Sequence, residues 1–205
     1  TSHEQLSEAQ LKDMRQDLVE QVISPVIDRQ DIHFDATASV FVNPEGPLVG
    51  GGPVVHSGLT GRKNAVDLYG QYCRRSGAAL SGKDPSRIDR IGNYQARYAA
   101  KNIVAAKLAD ECEVQLSYSI GQSQPVSIQV ETFGTGKISD DDIVSKIKEA
   151  IDFRPAAIIA NFNLRQLPAD SKGGFYQKLA VYGHVGRNDI ELPWEQNNKV
   201  KTLKS

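Results

Sequence analysis

The sequence predicts an α+β fold with helices packed on one face of antiparallel strands, and three observations carry that expectation. Apolar residues recur at helical spacing in three separate stretches. Two short runs, Glu113 to Ile120 and Val126 to Phe133, flank Gly121-Gln122-Ser123-Gln124-Pro125, which suits a hairpin-like antiparallel pair. In the second run Val126, Ile128 and Val130 alternate with polar residues, as in a sheet that is wet on one face.

Taken in order, Leu11, Met14, Leu18, Val19, Val22, Ile23 and Val26 mark an amphipathic helix from about Glu8 to Ser24. Ser7 and Gln10 form its capping box, and Pro25 loosens or ends it. Asp35 to Val42 reads as a strand entering the turn Asn43-Pro44-Glu45-Gly46-Pro47. Residues 46–92 differ in kind, holding ten of the seventeen glycines and a string of basic residues with little periodicity. Asp84 and Pro85 suit the cap and first position of a helix from Ser86 to Lys107, whose apolar side is Ile88, Ile91, Tyr94, Ala99, Ile103 and Val104. After the strand pair, Ser139 and Asp142 cap a helix through Ile143, Val144, Ile147 and Ile151. A short helical stretch after Pro155 and an irregular tail complete the pattern.

With 205 residues the chain is long enough for one sizeable domain or two small ones. Its 40% hydrophobic and 24% charged residues describe a soluble globular protein, and a net charge of -1 gives a nucleic-acid role no support. Cys73 and Cys112 lack the spacing of a disulfide framework or a zinc site, so idle thiols are expected. No apolar run approaches the ~20 residues that cross a bilayer, and no signal-peptide pattern opens the chain, so a cytoplasmic location is the default. The chain opens at Thr1, and its one methionine, Met14, lies inside the first predicted helix. A processed, nicked or partly observed piece of something longer is therefore expected.

The chemistry concentrates between Gly50 and Asp89, where Arg62, Lys63, Lys83 and Arg87 stand among glycines that allow close backbone approach. This is equipment for a polyphosphate. A triphosphate carries about four negative charges, so its site needs fixed cations and commonly metal ions held by carboxylates, which Asp84 and Asp89 can supply. Gly61 is followed by Arg62, Lys63 and Asn64, which rules out a Walker A loop, and the glycine run does not fit a Rossmann fingerprint. On composition alone, a mobile surface loop with solvated charges remains an equal reading.

What separates the two is resemblance. The strings GLTGRK at 58–63, SGKDPSRIDR at 81–90, YGHVGR at 182–187 and PWE at 193–195, in this order, resemble methionine adenosyltransferase, the S-adenosylmethionine synthetase family. YQARYAAKNIVAAKLADECEVQLSYSIG at 94–121 and DFRP at 152–155 match as well, so the likeness spans essentially the whole chain.

The resemblance implies part of a fold of three similar α+β domains related by pseudo-threefold symmetry, with residues 1–45 ending a central-type domain and 46–205 forming the C-terminal one. It implies active sites between two subunits, dimers that pair into tetramers, and ATP and L-methionine as substrates. In that reaction the methionine sulfur displaces triphosphate from the ribose C5′, so positioning and charge stabilisation of the leaving group carry catalysis, with Mg²⁺ as a cofactor and K⁺ assisting. By matched position, Arg62, Lys63 and Lys83 are the implied catalytic cations, Ala79 and Arg87 join them at the ATP triphosphate, and Asp89 is the implied magnesium ligand. His184, inside YGHVGR, is read as structural, while His3 and His33 match no role.

Departures from the family pattern cluster in the substrate pocket. His56 stands where the family carries a carboxylate ahead of GLTGRK, and Leu48 replaces an aromatic that lies against adenine. Ser76-Gly77-Ala78 stands for a triple glycine, Leu80 for phenylalanine and Arg87 for lysine. The family's catalytic histidine, second magnesium aspartate and methionine-gating loop belong to a half upstream of this chain. Two expectations follow: the C-terminal portion of an enzyme that needs that half, or a divergent partner or regulatory subunit of a heteromeric enzyme. A nucleotide-binding module with other chemistry would require the string matches to be accidental.

Overall fold

A computed structural model describes residues 6–29, 38–46, 49–50, 68–69, 72–74, 79–171 and 174–205. The chain divides into two compact units, Thr1–Leu59 and Thr60–Ser205.

In the first unit, helix α1 (Glu8–Leu18) begins at the expected capping box, where the Gln10 amide N–H donates to Ser7 Oγ at 3.3 Å and the Ser7 N–H donates to Gln10 Oε1 at 2.9 Å. The helix outruns its predicted end. Because Pro25 has no N–H and its ring would strike the carbonyl four residues back, the ladder widens into a π turn over Val19–Ile23, with Ser24 N–H reaching Val19 C=O. It then resumes as α2 (Ser24–Arg29). The strand expected over Asp35 to Val42 is not present in its described part: residues 38–42 form neither strand nor helix. Instead Arg15 holds this stretch, its Nε donating to Val42 C=O at 3.1 Å and its Nη2 to Asn43 C=O at 3.3 Å. The following turn forms as predicted, closed by Gly46 N–H on Asn43 C=O at 2.8 Å, and Gly46 takes a φ of 97°.

The second unit is built around α3 (Ile88–Ala105). Ile91, Tyr94, Tyr98, Ala99 and Ile103 fall on one face and are buried, so this face becomes the spine of the core. At its end Lys107 takes the left-handed conformation (φ 63°) that lets Leu108 N–H close on Ile103 C=O at 3.2 Å, a Schellman termination without glycine. Strands β1 (Glu113–Ser117) and β2 (Ser127–Glu131) pair antiparallel, with Val114 opposite Val130 and Leu116 opposite Ile128. Those four side chains join the core while Gln115 and Gln129 face away exposed, as alternation predicted. β1 ends at Ser117 rather than Ile120, where the loop closes with Val126 N–H on Ser117 C=O at 2.8 Å, and β2 ends at Glu131, two residues before its predicted end.

Helix α4 (Asp140–Ala150) is capped by Ser139, whose Oγ accepts the Asp142 N–H at 3.1 Å, and it covers β2 with buried Ile143 and Ile147. Helix α5 (Pro155–Asn161) follows with Pro155 in its first turn and Ile158 buried. The tail expected to be irregular is instead a series of short helices: α6 (Leu167–Asp170), α7 (Phe175–Tyr182), a 3₁₀ turn at Pro193–Glu195 and α8 (Val200–Lys204). Each is too short to show a period in sequence; Phe175 and Leu179 anchor α7, Trp194 the 3₁₀ turn and Leu203 α8 as buried side chains, while α6 rests on half-buried Leu167 packed against the core. Helices on a small antiparallel sheet make this an α+β arrangement. Among the described residues no helix is long and apolar enough to cross a membrane.

Candidate functional site

Two consecutive turns precede α3 and carry Lys83 and Arg87, while Asp89 lies in the first turn of the helix. The first, Leu80 to Lys83, is closed by Lys83 N–H on Leu80 C=O at 3.3 Å, with Gly82 in its third position at φ 80° as a type II turn requires. The second, Asp84 to Arg87, is closed by Arg87 N–H on Asp84 C=O at 3.0 Å. Asp84 was expected to cap a helix from Ser86. Its carboxylate instead accepts the Ser86 N–H at 2.8 Å and the Ser86 hydroxyl, closing an Asx turn, and these bonds hold its carboxyl below the ordinary range. Asp followed by Pro suits a turn as well as a cap. Arg87 is extended (φ -69°, ψ 134°), so α3 starts at Ile88, two residues later than expected.

These turns bring Lys83 and Asp89 together as an ion pair in which both side chains are largely covered. Asn93 donates to Asp89 C=O at 2.6 Å and steadies the first turn of α3. Arg87 between them is exposed, and Ala79 is buried just ahead of the first turn. Arg62, Lys63, His56 and Leu48 lie outside the described residues. Of the expected cations and metal ligand, the structure therefore gathers Lys83, Arg87 and Asp89 on one short segment.

Beneath the turns lies a set of polar residues of which the sequence pointed only to His184, as structural, and to Tyr94, as part of the apolar helix face. Arg90 is 2% exposed. Its Nη2 donates to Leu80 C=O at 2.7 Å and Lys83 C=O at 2.9 Å, its Nε to Lys83 C=O at 3.2 Å, and its Nη1 to Tyr94 Oη at 2.7 Å. The guanidinium also lies 4.7 Å from the Tyr176 ring centroid. Tyr94 Oη is 2.7 Å from His184 Nδ1, and His184 Nε2 is 3.2 Å from Ser81 Oγ. The Tyr94 ring stacks on Trp194 with centroids 3.6 Å apart, and Trp194 Nε1 donates to His184 C=O at 2.7 Å. His184 is wholly buried, in keeping with the structural reading. The only sequence signal for the cluster was the four-residue spacing of Arg90 and Tyr94 on one helix face.

Glu195 ties the same region together from the other side. It accepts Arg97 in bidentate fashion at 2.9 and 2.8 Å, Lys101 at 2.7 Å and the Gly186 N–H at 2.8 Å. Burial pushes its carboxyl up, but the two cations and the amide outweigh that, so it sits below its ordinary value. The three strings SGKDPSRIDR, YGHVGR and PWE thus meet around α3.

For a metal, no three histidine, cysteine, aspartate or glutamate side chains gather as a cage among the described residues. A single carboxylate such as Asp89 fits Mg²⁺, which takes one or two carboxylates and fills its octahedron with phosphate oxygens and water.

Comparison with known proteins agrees with this assembly. Residues 50–196 match the family model for the S-adenosylmethionine synthetase C-terminal domain. The chain is 55% identical to the S-adenosylmethionine synthase of Gloeobacter violaceus over 93% of its own length and 46% of the relative's. It is 50% identical to that of Trichodesmium erythraeum over 98% of its own length and 47% of the relative's. Among solved structures it is similar to an S-adenosylmethionine synthetase from Campylobacter jejuni described as unusual, with a TM-score of 0.64 and 36% identity, covering 92% of this chain and 49% of that one. The chain spans about half the length of the curated relatives it matches.

Proposed function

This chain belongs to the S-adenosylmethionine synthetase family, and on that premise we propose that it is the C-terminal portion of an enzyme forming S-adenosylmethionine from ATP and L-methionine. The observation that supports this most directly is the pairing of Lys83, on the turns before α3, with Asp89 in the first turn of that helix, beside exposed Arg87 within the matched string. Lys83 would donate to a phosphate oxygen in place of its present carboxylate partner, and Asp89 would hold Mg²⁺. The metal, when bound, neutralises charge on the leaving group. Arg62, Lys63 and Arg87 contribute further positive charge, Ala79 lines the same segment, and K⁺ assists. Methionine binding and the remaining wall of the pocket come from an upstream half, in a dimer or tetramer. Titration calorimetry of the chain with Mg²⁺-tripolyphosphate tests this directly: measurable binding that requires Mg²⁺ is expected, and its absence would remove the reading.

His56 and Leu48 favour a second reading, a divergent partner subunit that assembles with a competent one. A worn pocket should regain substrate affinity in His56→Asp, since a carboxylate is restored where the family carries one. Unchanged calorimetric affinities for ATP and methionine would argue against a worn pocket.

A further inference from the structure

We infer, on the reading that an upstream half completes this protein, that one apolar face of α1 is the seam along which that half docks, and that the surface it receives is an apolar strip with a basic rim. Leu6, Met14, Leu18 and Val22 recur at multiples of four residues and line a groove on the helix, with Asp13 and Asp17 along the same groove. None of the residues of α1 is buried, and Val22, in the π turn beyond it, is 52% exposed. A helix of this length is marginal in water by itself and ordinarily owes its stability to packing of its apolar face. The side-chain contacts that α1 makes to residues 42–43 use Arg15, about 100° round the helix from Met14.

The comparisons and the charges on the groove identify the occupant. The model of the C-terminal domain begins at residue 50, so α1 lies ahead of that domain. The match to the Trichodesmium erythraeum relative runs over 200 residues and 98% of this chain, so it includes α1, yet it covers only 47% of the relative. That relative therefore carries a counterpart of α1 together with a further half that has no counterpart in this chain. A second copy of the chain fits the groove poorly. Asp13 and Asp17 of both copies would enter one interface with no cation among them, since no lysine or arginine lines the groove. Asp13 and Asp17 also stand four residues apart on α1, where like charges destabilise a helix, and lysine or arginine side chains facing them relieve that repulsion.

The 205-residue chain, alone and co-expressed with the upstream half of the Gloeobacter violaceus relative as a separate polypeptide, tests this. Amide hydrogen exchange in α1 should slow by about tenfold or more on assembly, while exchange in α4 stays as it was. Leu18→Ala removes apolar contact but keeps a good helix former, and should weaken association about tenfold. Lys12→Gln, two positions from Met14 and so about 200° round the helix, should leave association unchanged. Asp13→Asn combined with Asp17→Asn should weaken association and reduce its dependence on salt. Assembly without added protection in α1, or equal effects of Leu18→Ala and Lys12→Gln, overturns the inference. Self-association of the chain that Leu18→Ala abolishes overturns it too, by making the occupant a second copy, and an unchanged salt dependence in the aspartate variant overturns the basic rim. Failure of the two polypeptides to assemble removes the seam, whereas tripolyphosphate binding decides the triphosphate reading on its own. Assembly through α1 without tripolyphosphate binding upholds the seam and removes that reading.

Discussion

Lys83 and Asp89 neutralise each other in the ligand-free chain, so each has a different consequence when removed. Lys83→Ala deletes a charge-assisted contact to phosphate and should weaken Mg²⁺-tripolyphosphate binding by about 10- to 100-fold in calorimetry. Asp89→Asn keeps the shape but not the charge, so whatever binding remains should lose its dependence on Mg²⁺. Glu195 presents a separate case because its partners are protein cations. Its folded value lies below the ordinary 4.5, so the stability it contributes is whole above pH 4.5 and is lost as pH falls through the lower folded value. Glu195→Gln leaves Arg97 and Lys101 without their carboxylate, should cost about 3 kcal/mol at neutral pH, and should flatten the acid limb of a denaturation series. At this scale the nearness of Lys83, Arg87 and Asp89 was legible, because all three stand within one short matched string. Arg90 and Tyr94 were not, since an arginine is ordinarily exposed and a tyrosine on the apolar face reads as packing. Burial, followed by the nearby Asp140 charge, pushes the Cys112 thiol up to about 12, so little of it is thiolate at neutral pH.

Among the elements, those with a sustained period of their own were readable in the sequence. Helix α3 buries Ile91, Tyr94, Ala99 and Ile103 of its predicted face but leaves Ile88 exposed, α4 buries Ile143 and Ile147, and the β1–β2 register places its apolar residues on the covered side. Boundaries moved where local side chains competed with the helix, as Asp84 does by closing a turn over Ser86. The short helices of the tail were unreadable because fewer than nine residues neither show a period nor hold a helix without tertiary anchors such as Trp194 and Leu203. The turn carrying Lys83 depends on one backbone conformation. Gly82 sits at φ 80°, where a side chain costs about 1–2 kcal/mol, so Gly82→Ala should distort the turn or destabilise it by that amount. Its thermal midpoint should fall modestly while tripolyphosphate affinity falls with it. An unchanged affinity would mean that the turn does not set the lysine.

For the whole molecule, the decisive quantity is how much of the catalytic unit these residues represent. The chain matches relatives over almost all of its own length but only 46% of one and 47% of another, so more than half of each relative has no counterpart in it. Leaving-group stabilisation alone does not orient a sulfur nucleophile in line with C5′, and orientation is commonly among the larger contributions to such a displacement. On the proposed reading this chain contributes the triphosphate side of the site, and methionine is held by the part of the relatives that has no counterpart in it. The 205 residues alone should therefore form no S-adenosylmethionine from ATP and methionine, while still binding Mg²⁺-tripolyphosphate. Adding, as a separate polypeptide, the upstream half of the Gloeobacter violaceus relative should restore turnover if the two halves assemble, and chromatography of the mixture reports that assembly independently. Turnover by the isolated chain would refute the division of labour. Assembly without turnover would instead favour the partner-subunit reading, because a pocket altered at His56 and Leu48 would then be present but not competent.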